Sequence, residues 1–404
     1  MNPEQSLPAA QQNSERMLWY ARMACFLQIG CGAQLSVYEA VHMVEKGLSG
    51  TETGILIAIG NALVIFVSPF WGRLADRYGV YRRLIAFGTF GISGTLIWFS
   101  FANSLGDFLI YSILRGILLT SVMGVMPALA LANLPPGNQG KGYGTYRSFG
   151  SIGFMAGTLV LPAFLPTVQS ITIVAAILLP ISLIFVFGLQ RPSVRTQAEE
   201  ASFKGKLPVQ LYWFLAANFL VSLTEPAING FYNSFGRSLG ATLPWIGVIS
   251  GFTGFIAFIS LPLMGRWVDL RGPKIILLLG FASQGLRLLT ASFIASPEWL
   301  WVPHLFHCFG WAGREVATIV FVSILAGSTK RATAISLTVS TKMAGMMVGS
   351  YLMGYLSDLY GYPTMFRIIA SLALCSLVFL AVVLRSGQET LRGMGPSGTK
   401  NHKY

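Results

Sequence analysis

Charge is what this sequence has least of. Only 11% of its 404 residues are Asp, Glu, Lys or Arg, where a soluble domain carries about 25%. Acids are the scarcer sign, 15 against 28 Lys and Arg. So little polar surface cannot wrap a soluble core, which argues against a cytosolic enzyme and against a disordered chain. Cysteine is sparse as well. Cys25, Cys31, Cys308 and Cys375 lie inside apolar runs without metal-ligand spacing, so no disulfide framework is readable. They are expected as free, buried small hydrophobes. There is no G-x-x-x-x-G-K-[ST] loop, no HExxH motif and no Cys/His cluster, so no metal, cofactor or catalytic centre is expected. No cleavable signal peptide is readable near the N-terminus.

What is abundant is apolar. Hydrophobic residues make up 53% of the chain, and its mean hydropathy is +0.62. A helix needs about 20 apolar residues to cross a bilayer, and twelve such segments can be marked along the sequence. They are too long for barrel strands and lack the alternation of those strands. The expected fold is an all-α membrane protein of twelve transmembrane helices in two six-helix halves. Residues 1–189 form the first half, and 190–207 a charged linker containing RPSVRTQAEEASFKGK. Residues 208–385 form the second half, and 386–404 a basic tail. A net charge of +13 could mark a nucleic-acid binder. In a membrane chain, however, Lys and Arg accumulate in cytoplasmic loops. Placing Arg73, Arg77, Arg82, Arg83, Arg266, Arg271 and Lys274 inside leaves only Lys46 and Arg237 in outer loops. Both termini are therefore expected in the cytoplasm, with the lipid bilayer rather than nucleic acid as partner.

The two halves repeat. Pro69, Gly72, Arg73, Asp76 and Gly79 recur as Pro262, Gly265, Arg266, Asp269 and Gly272 at a constant offset of 193 residues, which also carries Gly47 to Gly240 and Gly54 to Gly247. Paired halves of like fold are typical of secondary transporters. In each copy glycine permits a tight turn, and the Asp can accept from a helix N-terminus or pair with an Arg. Gly72, Arg73, Asp76, Arg77 and Gly79, with Gly265, Arg266, Asp269 and Gly272, are expected to form a charged latch at the cytoplasmic face.

The stretch GRLADRYG, followed by Arg82 and Arg83, resembles the loop signature of the major facilitator superfamily. With twelve spans and two homologous halves, the resemblance covers almost the whole chain. It implies secondary transport by alternating access in the plasma membrane, the inner membrane of a bacterium.

Charged groups inside spans cost about 3 kcal/mol each on insertion scales, so they tend to be paired or functional. The sequence places Arg22, Arg115, Arg147, Arg287, Arg314, Lys342 and Arg367 in spans, against the acids Glu39, Glu225 and Glu315. Arg22, Arg147 and Arg367 lie near helix ends, where they can snorkel. In the tenth span, helical spacing puts His307, Trp311 and Arg314 on one face, and His304, Trp311 and Glu315 on an overlapping one. Such a stripe suits a pore wall carrying titratable groups.

From Arg287 onward the chain reads R-L-L-T-A-S-F-I-A-S, then H-L-F-H, then K-M-A-G-M-M-V. This is similar to helices nine to eleven of the lactose permease branch, which includes the phenylpropionate permeases. The resemblance matches Arg287, His307, Lys342 and Arg147 to that branch's helix-nine arginine, helix-ten histidine, helix-eleven lysine and helix-five arginine. His304 takes the place of a lysine. Glu225 falls on the helix-seven aspartate, which implies a Glu225–Lys342 pair. The departures argue against galactoside transport: M-P-A-L-A-L-A carries no acid where the helix-four glutamate belongs, and Gly310 replaces the helix-ten glutamate.

The basic excess within the spans asks for an anion, and Arg presents a planar fork to carboxylates. The expected function is proton-coupled import of a small organic carboxylate, aromatic ones included, by a monomer. Arg115, Arg147, Arg287, Trp311 and Tyr38 are expected to touch substrate. Glu225, Lys342, His304, His307, Arg314, Glu315 and Glu39 are expected to carry protons or pair charges. A sugar or nucleoside symporter is the first alternative. An efflux carrier for amphipathic compounds is the second. The G-P-x-x-G-G signature of many efflux carriers is missing from G-S-I-G-F-M-A-G in the fifth span.

Overall fold

The computed structural model describes residues 9–133, 139–190 and 207–393, and among these all regular structure is helical. The first half comprises α1 (Ala9–Glu45), α2 (Gly50–Tyr78), α3 (Tyr81–Phe101), α4 (Leu105–Met123), α5 (Val125–Ala132), α6 (Gln139–Phe164), α7 (Val168–Leu178) and α8 (Ser182–Gly188). The second comprises α9 (Val209–Ser222), α10 (Tyr232–Ser238), α11 (Leu243–Arg271), α12 (Pro273–Ala291) and α13 (Arg314–Gly393). Residues 191–206 of the linker and 394–404 of the tail fall outside the described residues.

Local chemistry sets the helix ends. Ser49 and Glu52 form a capping box that starts α2, and Ser104 with Asp107 does the same for α4. Turns between helices use glycine at positive φ, where a Cβ would be strained. The sequence repeat is visible in these angles. Gly47 and Gly240 have φ of 91° and 90°, and Gly79 and Gly272 have 62° and 77°.

The α13 run cannot be straight. Lys342 donates to Glu315 at 3.0 Å across 27 positions, a span of about 40 Å along a straight helix. The run therefore doubles back between them, and turns again at Gly361 (φ 72°) ahead of Pro363. Among the described residues nine helices are long and apolar enough to cross a membrane, and one of them, Ala334–Arg385, has 52 residues and contains the Gly361 turn. Helices α1 and α6, at 37 and 26 residues, are long enough too but more polar. With α1, α6 and the 52-residue run that turns at Gly361, the described helices accord with the expected all-α membrane fold.

The halves meet through α2 against α13 and α11 against α6, with α1 touching α10. Small residues permit close approach: a Cβ on Gly54 would strike the Ser350 carbonyl, and one on its repeat partner Gly247 would strike the Thr158 carbonyl. Among the described residues most hydrogen bonds between halves gather at one end, with Asn61 to Ser350 at 3.4 Å beside the cavity. Arg237 bonds Glu45 at 2.7 Å, Asn233 donates to the Val37 carbonyl at 2.9 Å and Tyr38 to the Leu243 carbonyl at 3.4 Å. Asp358 accepts from the Gly50 and Thr51 amides at 2.8 and 2.7 Å and from the Thr51 hydroxyl at 2.6 Å. At the opposite end, which carries the repeated motif, Arg73, Arg266 and Asp269 are exposed, and none of the three makes an ion pair among the described residues. Among the described residues, the Asp358 end is the one tied across the halves by hydrogen bonds.

Candidate functional site

Between the halves lie two confluent lobes of about 310 and 390 Å³, sharing Ile29, Ser36, Arg147, Phe154, Asn229 and Met346. The smaller lobe reaches into the first half, where Glu39 and Arg115 line it with Asn61 and Gln28. The larger reaches into the second, where Arg287, His304, His307, Trp311 and Thr253 line it. The rest of the wall is mainly apolar, with Ser36, Asn229, Asn233 and Arg147 among it, as in sites that take small organic molecules.

Helix irregularities place these side chains. A π turn at Ala227–Phe231 follows Glu225 and Pro226, and a second at Cys308–Gly313 follows a 3₁₀ stretch, Val302–Phe306. Single π turns inside helices commonly mark functional positions. The second one changes the register of the tenth span. His307 and Trp311 remain on one face, stacked with centroids 5.2 Å apart and planes 6° from parallel. Arg314 leaves that face and bonds Glu225 deep in the second half. Glu315 leaves it too and lines a separate cavity of about 70 Å³ with Arg314, Lys342 and Asn218. The uniform helical spacing read from sequence holds for His304, His307 and Trp311 only.

Four charged groups are thereby joined in series. Glu225 bonds Arg314, Lys342 stands 3.9 Å from Glu225, and Lys342 bonds Glu315 at 3.0 Å. The implied Glu225–Lys342 pair is present as a loose contact, with Arg314 the nearer partner. In the first half Arg115 Nε lies 3.1 Å from Glu39, beside Tyr111. Arg287 donates to His304 Nδ1 at 2.7 Å, and Thr253 Oγ1 is 3.0 Å from the same nitrogen. Tyr38 is not brought to the cavity. It is fully buried, with its hydroxyl spent on the Leu243 carbonyl.

In the gate motif, Gly79 and Gly272 make their turns, Gly72 and Gly265 face open space, and Arg77 lies over the Tyr78 ring. The Asp76 side chain falls outside the described residues. Sequence reasoning missed Ser36, Asn229, Asn233 and Thr253, neutral residues without a motif, and Asp358. The last did carry a signal. G-Y-L-S-D-L-Y-G from Gly354 to Gly361 matches G-R-L-A-D-R-Y-G from Gly72 to Gly79 at five of eight positions.

A model of the MFS_1 like family matches residues 18–368. The chain belongs to this family. It is an integral membrane transporter of the major facilitator type, not an enzyme. It is 24% identical over 416 residues to the multidrug resistance protein MdtG of Escherichia fergusonii, covering 96% of this chain and 99% of that one. It is 25% identical over 404 residues to MdtG of Citrobacter koseri, covering 94% and 97%. The fold matches the solved nucleoside transporter NupG at TM-score 0.76 and 16% identity, covering 91% of this chain and 99% of that one. It also matches a peptide transporter, POT, bound to sulfate, at TM-score 0.75 and 15% identity, covering 95% and 99%.

Proposed function

We propose that this transporter carries a small organic carboxylate through the cavity between its halves, by alternating access and in symport with protons. The observation that carries this reading is the pairing of the cations within the spans, of which Arg115, Arg287 and Arg314 are buried. Arg115, Arg314 and Lys342 each face a glutamate. Arg147 and Arg287 line the cavity, and neither is ion-paired with a carboxylate among the described residues. A buried cation without a counter-ion is costly, and a carboxylate brought by the substrate removes that cost. Protons drive accumulation in this reading, and the acids and histidines beside the cavity are the groups to bind them. In this reading the basic loops orient the motif end toward the cytoplasm of a bacterial inner membrane.

Efflux of amphipathic compounds is the second reading, favoured by the full-length MdtG relatives. Reconstitution distinguishes the two. Proteoliposomes with an imposed inward proton gradient are offered labelled benzoate, lactate, a sugar and a nucleoside, and separately loaded with an amphipathic cation. Gradient-driven accumulation of a carboxylate, abolished by a protonophore, is expected. Accumulation of neutral solutes alone, or proton-driven movement of the cation alone, overturns the anion reading.

A further inference from the structure

The larger lobe holds an arrangement that resemblance does not supply: an arginine bonded to a histidine in place of an acid. Arg287 donates from its terminal nitrogen to Nδ1 of His304 at 2.7 Å. Nδ1 is therefore the acceptor, and the proton of the neutral ring sits on Nε2. Both side chains are almost wholly buried and line the cavity. Three of their polar atoms and those of a neighbour are left without a partner: Arg287 Nε, His304 Nε2 and His307 Nδ1. Buried polar atoms normally find partners, and these three have none among the described residues.

The groups facing His304 are few. From α12 comes Arg287, from α11 the neutral Thr253, and from α10 the ring of Tyr232, edge-on at 5.2 Å. The Tyr232 hydroxyl is occupied by the Leu300 carbonyl at 2.7 Å. On its own element His307 is the nearest titratable group, and the Glu225–Arg314 pair lies near Arg287. No carboxylate bonds His304 among the described residues.

We infer that His304 is the proton site that couples to the substrate, and that its bond to Arg287 is the switch. The inference rests on the anion reading. Nδ1 cannot both accept from Arg287 and hold a proton. In the empty carrier the ring is neutral and the guanidinium is committed to it. A proton arriving from the cavity water binds Nδ1 and breaks that bond. Arg287 stays charged, so the lobe then holds two cations, the Arg287 terminal N–H has lost its acceptor and Nδ1–H has become a donor, which is unfavourable until an anion arrives. A carboxylate supplies two oxygens and one negative charge, takes a fork from Arg287 and bonds the imidazolium. Proton and anion each make the other's binding more favourable by the same factor, as linkage requires. Loss of the anion restores the Arg287–His304 bond and expels the proton to the water. His304 also holds Arg287 in place when the site is empty, which limits the cost of a buried unpaired cation.

The sequence has only four histidines, so each ring is resolvable by nitrogen-15 NMR of the full carrier in detergent, with His304→Gln for assignment. At mildly acidic pH the empty wild type is expected to show His304 as the neutral Nε2–H tautomer, and benzoate to convert it to the imidazolium. In Arg287→Gln the imidazolium is expected without benzoate. A His304 signal indifferent both to Arg287→Gln and to benzoate overturns the switch. In proteoliposomes His304→Gln, which can still accept from Arg287, is expected to weaken benzoate exchange at zero gradient and to remove its pH dependence, while gradient-driven accumulation falls about tenfold, within the usual range of coupling. Accumulation by His304→Gln equal to wild type at matched expression overturns it as well. A wild type that neither binds nor exchanges any carboxylate sinks the anion reading, whereas the response of His304 to Arg287→Gln still decides whether the switch exists.

Discussion

Glu225 is bonded to Arg314 and stands 3.9 Å from Lys342, so one buried carboxylate serves two cations from segments of α13 that double back on each other. Removing one partner of a buried pair strands the other, at a cost of about 3–5 kcal/mol. Glu225→Ala is therefore expected to lower thermal stability and membrane yield sharply. Adding Arg314→Leu should recover most of the loss. Adding Lys342→Leu should recover less, because Lys342 keeps Glu315 as a partner at 3.0 Å. Fluorescence-detected melting of the three variants checks this. Better rescue by the lysine change would show that Lys342 is the dominant partner.

How much of this was legible in the sequence depends on what each residue needs from its neighbours. The two halves, their repeat and the buried charges follow from composition and spacing, because bilayer crossing and turn glycines impose local rules. The equal φ of Gly47 and Gly240 is such a rule made visible. Partner choice was not legible. The register shift at Cys308–Gly313 sends Arg314 to Glu225 and keeps Trp311 on the cavity face, and uniform 3.6-residue spacing cannot anticipate a π turn. Tyr38 looked like a cavity aromatic because its helix lines the cavity. Its own position faces the second half, where the hydroxyl bonds Leu243.

Asp358 joins α13 to the first turn of α2 by three hydrogen bonds. Charge-assisted bonds to backbone amides at a helix N-terminus are among the stronger contacts available to the closed end. Asp358→Ala is expected to favour opening there. In a background free of native cysteines, Ser36→Cys places a thiol on the cavity wall. Labelling of that thiol by an impermeant maleimide added from the outside should rise about tenfold on Asp358→Ala, since one such bond to a charged group contributes about 1.5–3 kcal/mol. Unchanged labelling would mean that Arg237–Glu45 and the glycine contacts hold this end shut without Asp358.

The two cavity arginines are expected to differ in what they tolerate. Arg287 uses one nitrogen on His304 and keeps Nε free, so its planar fork matters. Arg287→Lys, which keeps the charge and loses the fork, should raise the half-saturation concentration for benzoate about tenfold or more. Arg147 has no bond to hold it in a set orientation among the described residues and lines both lobes. Arg147→Lys should cost less than threefold by the same reasoning about point charges, and Arg147→Gln much more. Concentration dependence of exchange at zero gradient measures all three. Equal losses for the two lysine variants would show that charge alone, not the fork, recognises the anion.

The indole of Trp311 is already stacked on His307, with planes only 6° apart. One face of the pair is thus covered, and Trp311 and His307 both line the larger lobe. A flat substrate can extend this stack, gaining about 0.5–1.5 kcal/mol beyond area burial. That gain exists for an aromatic acid and not for an aliphatic one. Trp311→Leu is therefore expected to raise the half-saturation concentration for benzoate about two- to tenfold and to leave that for propionate unchanged. Trp311→Phe should restore much of the difference. Competition of both acids for the same exchange reaction gives the ratio directly, free of expression level. A parallel loss for both acids would assign Trp311 to packing of His307 rather than to substrate. A loss confined to benzoate would make the ring, and not the carboxylate alone, part of what this carrier recognises.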